Sequence, residues 1–92
     1  MGIRVAVLVV VLVLGACSNA PVQEMSDARQ ALHAAKKVGA ERRSPVVFSQ
    51  ARRYLLNAQT ALQRGEYTQA RYSAIRAKKH AVMAQRISVE FP

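Results

Sequence analysis

Gly65-Glu66-Tyr67-Thr68-Gln69-Ala70-Arg71-Tyr72-Ser73-Ala74-Ile75-Arg76-Ala77-Lys78-Lys79-His80-Ala81-Val82-Met83-Ala84 is the stretch that decides the fold. Tyr67, Ala70, Ala74, Ala77, Ala81 and Ala84 recur at spacings of three and four, which puts them on one face of a helix. Small side chains along that face let two helix axes approach closely. Ile75, Val82, Met83 and Ile87 are read as widening the same apolar face. The pattern predicts a helix from about Glu66 to Ser88, ~35 Å long at 1.5 Å per residue. Gly65 stops whatever precedes it.

Working back from Gly65, Phe48, Ala51, Leu55, Ala58 and Leu62 form a second stripe at the same spacing. A helix over Pro45–Arg64 follows, with Ser44 as N-cap and Pro45 at the first helical position, where a missing N–H costs nothing. Val46-Val47-Phe48 alone fits a strand, but the stripe outweighs it. Ala40 to Ser44 reads as a charged connector. Met25, Ala28, Leu32, Ala35 and Gly39 mark another helix, from about Gln23 to Val38. Ser26 or a residue just before it is its expected cap, and Gly39 its stop. The expected fold class is all-α: an antiparallel hairpin across the Gly65 turn, preceded by one more helix, in a short three-helix bundle. Tyr54, Ala58, Gly65, Tyr67, Ala70 and Ala77 are the expected hairpin-packing residues.

The amino-terminal segment has a different character. Arg4 and the amino group give a positive end, Val5–Leu14 an apolar run, and Gly15 and Ala16 small residues. This is the three-part layout of an exported segment. A membrane-spanning helix needs about 20 apolar residues, so the run is too short to remain as a span. Leu14-Gly15-Ala16-Cys17 reads as a lipobox, the cleavage and acylation signal of a bacterial lipoprotein. Two rival readings exist. An ordinary export signal would be cut after Ala20, but Pro21 would follow the cut. Alternatively, Cys17 is a chance thiol in a membrane-tethered tail.

On the lipobox reading, residues 1–16 are a signal peptide, 17–23 a lipidated tether and 24–92 a basic helical domain. Diacylglyceryl modification of Cys17 supplies at least two acyl chains, which anchor stably where one does not. Ser18, in place of an Asp, fits the pattern sent to the outer membrane. The expected location is therefore the periplasmic face of that membrane, with the inner membrane as the alternative. A seven-residue tether reaches ~25 Å at most.

Removing residues 1–16 leaves room for one small domain. The formal net charge of +9 falls by one, because Arg4 is the only charged residue lost. Cys17 is the only cysteine, so no disulfide can staple the fold. Such a domain rarely gains more than ~3–5 kcal/mol from its core. Alanine, which buries little area, makes marginal stability a fair expectation.

Side chains in catalytic or metal-binding arrangements are few. His33 and His80 fall on different helices with no acid or cysteine at metal-ligand spacing, and no metal or other cofactor is expected beyond the covalent lipid. Carboxylates are scattered, serines lack triad partners and no glycine loop cradles phosphate. The chain is read as not an enzyme. Basic residues are the conspicuous group, with 14 Lys and Arg against 5 Asp and Glu. The plain reading is a solvated helix surface. The sharper one is an anion-binding face carried by Arg71, Arg76, Lys78, Lys79 and Arg86. Export and the absence of interleaved stacking aromatics argue against nucleic acid. Phospholipid headgroups, lipopolysaccharide, peptidoglycan and acidic envelope proteins remain. Near an anionic membrane each cation contributes about 1 kcal/mol. The oligomeric state stays open.

Gly65-Glu66-Tyr67-Thr68-Gln69-Ala70 with Ala77, and Tyr54 with Ala58, resemble the middle of a tetratricopeptide repeat. Only one such unit is present, and a repeat array needs about three for stability. A longer resemblance takes in the alanine-rich first helix, Val38-Gly39-Ala40, Ser44-Pro45, Gln50-Ala51, Leu55, Ala58, Ala61-Leu62, Gly65-Glu66-Tyr67 and the Ala70/Ala74/Ala77/Ala81 ladder. It is similar to the small bacterial lipoproteins of the domain-of-unknown-function 4398 family. The resemblance implies an envelope lipoprotein with a tetratricopeptide-like hairpin, and brings no catalytic residues to carry over. This chain is more basic than that pattern. The functional expectation is a structural or adaptor lipoprotein binding an envelope protein or the cell wall. The alternative is a basic module that binds anionic lipid or lipopolysaccharide directly.

Overall fold

The computed structural model describes residues 20–91. The lipobox residues Leu14, Gly15, Ala16 and Cys17 lie outside them. The described residues form four helices and no strand: α1 (Val22–Lys37), α2 (Ala40–Arg43), α3 (Pro45–Gln63) and α4 (Tyr67–Glu90). The fold is all-α, as the periodicity requires.

Alanine sets how these helices meet. Apart from Met25 and Phe48, every buried hydrophobic residue among those described is an alanine. One cluster joins Met25 and Ala28 of α1, Ala58 of α3, and Ala74 and Ala77 of α4, with Tyr54, Leu55 and Leu62 packed on it. A second joins Ala35, Ala40, Phe48 and Ala84, with Leu32 and Val47 against it. Residue numbers rise together along α1 and α4 and fall along α3. So α1 runs parallel to α4, and α3 antiparallel to both. Met25 and Phe48 plug the two ends of a seam too thin to fill itself.

The α3–α4 turn follows from Gly65. Its φ of +75° is a left-handed conformation that costs glycine nothing. The Gly65 N–H donates to Leu62 O at 3.0 Å and Glu66 N–H to Ala61 O at 2.9 Å, the paired bonds of a Schellman stop. Glu66 O then accepts from Ala70 N–H at 2.9 Å, which starts α4.

Three expectations need correction. The connector Ala40–Ser44 is not a loop, since Ala40–Arg43 is a helical turn. Ala40 is wholly buried in the second cluster, and Gly39 O accepts from Arg42 and Arg43 N–H at 3.1 and 2.9 Å. The charges of Glu41, Arg42 and Arg43 mask that one inward residue.

Ser26 does not cap α1, which starts at Val22 with Pro21 at the cap position. Ser44 does occupy the N-cap position of α3, followed by Pro45, but its hydroxyl makes no cap bond. It is buried instead, donating to Ala84 O at 3.3 Å and lying 2.8 Å from Ser88 Oγ. Arg43 Nη1 donates to Ser88 O at 3.3 Å beside it. Burial makes the pairing obligatory, because a hydroxyl left without a partner there would cost about 1–3 kcal/mol. The result is a polar clip that pins the α2–α3 junction to α4.

Candidate interaction surface on the fourth helix

The alanine stripe of α4 faces inward: Ala70, Ala74, Ala77, Ala81 and Ala84 are fully buried. Helical geometry sends residues offset by half a turn the other way. Tyr72, Ile75, Lys79, Met83 and Arg86 accordingly stand exposed, and Val82 is half-buried. Ile75 keeps 53% of its surface and Met83 41%. Their expected role of widening the core is therefore corrected. The seam is one alanine wide, so the flanking large residues fall outside it. Ile75, Val82 and Met83 line a shallow groove together with Lys78, Lys79 and Arg86.

The candidate anion-binding residues divide into two sets. Arg71 Nε lies 3.2 Å from Glu24 Oε1, and Lys78 Nζ 3.9 Å from Asp27 Oδ2. Both acids are on α1, whose parallel course brings them beside α4. Neither pair lies within α4, and both depend on α1 and α4 running side by side. The other set faces solvent. Arg76 spreads its guanidinium over the Tyr72 ring at 4.7 Å. Lys79 and Arg86 have no ion-pair partner among the described residues.

The hairpin residues fall as follows. Ala58, Ala70 and Ala77 are buried in the seam, and Tyr54 packs on it from the side. Gly65 makes the turn. Tyr67 is 39% exposed, so it does not plug that turn from within. The Tyr54 ring lies 5.1 Å from that of His80, whose Nδ1, when protonated, donates to Arg76 O at 2.9 Å. His33 is exposed on α1. Among the described residues no group of three His, Cys, Asp or Glu gathers where it could hold a metal. None of their helices is long and apolar enough to cross a membrane.

A second exposed surface lies on α3, where Pro45, Val46, Ser49, Gln50 and Arg53 line a groove. Val46 keeps 69% of its surface there. The basic side chains Lys37, Arg42 and Arg43 gather with Val38 and Val89 at the end of the bundle.

A family model described as a domain of unknown function (DUF4398) matches residues 23–88. No curated protein and no solved structure matches the chain.

Proposed function

The chain belongs to the DUF4398 family, and we propose that it is a lipid-anchored lipoprotein of the bacterial envelope, held by Cys17 at the periplasmic face of the outer membrane. Its helical domain acts as a structural adaptor for an envelope protein or the cell wall. The supporting observation is that apolar side chains stand in solvent on two different helices, Val46 on α3 and Ile75 with Met83 on α4. Contiguous exposed apolar surface rimmed by polar groups marks an interaction site. A connector needs two such surfaces. Val46, Ile75 and Met83 all lie outside the alanine seam.

A second reading, direct binding of anionic lipid or lipopolysaccharide, draws support from the cation-lined groove on α4. The two separate by charge. Partner capture by a photo-crosslinker at Val46 that survives Lys78→Glu with Lys79→Glu favours the adaptor. Crosslinking in intact cells, read by mass spectrometry, is expected to return one reproducible envelope protein or a peptidoglycan fragment; a blank at both Val46 and Ile75 overturns the adaptor reading. Labelling with a fatty-acid analogue tests the anchor itself. Label is expected on the native chain and absent from Cys17→Ser. A native chain that takes up no label removes the anchor.

A further inference from the structure

We infer that the outward face of α4 is a docking surface for a bilayer of anionic glycerophospholipid, along which the bundle lies. Ile75, Val82 and Met83 enter the boundary between headgroups and acyl chains. Lys79 and Arg86 hold the phosphates, while Lys78 borders the face beside Asp27. The inference rests on the lipid-anchored reading and adds an orientation to it.

Three observations carry it. The first is the composition of the face: Ile75, Val82 and Met83 interleave with Lys78, Lys79 and Arg86, and apolar burial and attraction to anionic lipid add together for such a helix at an interface. Lys and Arg suit it because their long stems cover apolar surface while the charge stays in water. The second is charge balance. The acids Glu24 and Asp27 sit on the α1 side of the helix, against Arg71 and Lys78. Lys79 and Arg86 make no ion pair among the described residues, Glu90 a turn beyond Arg86 included. The third is where the chain outside the structure ends. The Glu24–Arg71 pair sets the start of α1 beside the first turns of α4. From Cys17 to Pro21 the chain spans ~15 Å at most. An anchored Cys17 therefore keeps the bilayer within reach of this face.

Other occupants fit less well. A second copy applied to this face would bring Lys79 and Arg86 against their own kind. An acidic helix would need its carboxylates in register with the cations, whereas a planar anionic surface meets them in any register.

Tryptophan is absent from the chain, so one introduced residue reports on its own surroundings. Ile75→Trp and Met83→Trp probe the face, and Val46→Trp on α3 is the control. All three sites are exposed, and circular dichroism confirms that helix is retained. Each full-length chain is purified from bacterial membranes and reconstituted with vesicles of phosphatidylcholine alone or of equimolar phosphatidylglycerol and phosphatidylcholine. The expected result is a blue shift at positions 75 and 83, quenched by brominated acyl chains, in anionic vesicles only, with position 46 unmoved. Lys79→Glu with Arg86→Glu abolishes the shift while the protein stays vesicle-bound. Raising ionic strength from ~0.1 M to ~1 M, which shortens the screening length from ~10 Å to ~3 Å, weakens it.

Emission at 75 and 83 that matches position 46 in anionic vesicles overturns the inference and leaves the anchor intact. A shift equal in neutral vesicles overturns the anionic assignment. A shift seen only with lipopolysaccharide, only with an acidic helical peptide, or only on raising protein concentration assigns the face to that occupant instead. Intact mass decides the anchor separately. Should no acyl chain be found, that reading fails, and titration of the same variants with anionic vesicles still decides the face.

Discussion

At the scale of single residues, the shortest ion pair among those described is an exposed one. Arg52 Nη2 donates to Glu41 Oε1 at 2.7 Å, and the Arg52 guanidinium carbon lies 4.9 Å from the centre of the Phe48 ring. That hydrogen bond holds the Glu41 carboxyl below its ordinary pKa, with the positive charges of Arg52 and Lys36 acting in the same direction. A depressed carboxylate pKa stabilises the fold above the group's unfolded value, and that contribution is lost as pH falls through the folded value. Both partners are open to solvent, so the effect on stability is small. NMR titration is expected to find Glu41 below the usual glutamate range, and Arg52→Ala is expected to raise it toward the ordinary value. An unchanged Glu41 titration in that variant would mean that the bond is not held in solution.

Among the elements, the α3–α4 hairpin is fixed by Gly65, and its cost can be isolated. A Cβ built on Gly65 meets nothing within 4 Å, so a substitution there is strained by backbone conformation alone. Gly65→Ala is expected to destabilise the domain by about 1–2 kcal/mol, the penalty of a left-handed residue bearing a Cβ. Urea unfolding measures it, and Gly65→Asn should lose less. This turn was legible in the sequence because the stripes on either side of Gly65 both run at helical spacing and a lone glycine separates them. The helical turn at Ala40–Arg43 was not. Only Ala40 faces inward there, and its burial depends on Ala35, Phe48 and Ala84 arriving from three other elements. The cation-lined groove was half legible. Its basic residues stood out, but Ile75 and Met83 look like core until the width of the alanine seam is known. The pairing of Arg71 and Lys78 with α1 was hidden for a related reason, since it depends on two helices running parallel.

As a whole, the molecule is a thin seam held at two points. Met25 is 1% exposed and is the one bulky, fully buried side chain of its cluster. Met25→Ala is expected to remove about 2–5 kcal/mol, the range for truncating a buried methionine. A domain of this size draws only ~3–5 kcal/mol from its core, so the variant should be largely unfolded. Thermal melting followed by circular dichroism tests this. A cooperative melt near that of the parent chain would show that the alanine seam carries more of the stability than Met25 does.

The shared direction of α1 and α4 makes this bundle a lever with unlike tips. One tip carries the start of α1 and the Gly65 turn; the other gathers Lys37, Arg42, Arg43 and Val89. If Cys17 is anchored as proposed, tilt alone sets how far that basic tip stands above the headgroups. Lying down, it is a helix diameter away, about 10 Å; upright, it is the length of α4, ~36 Å. Anything that grips the tip would feel the difference as altitude, with no helix changing shape.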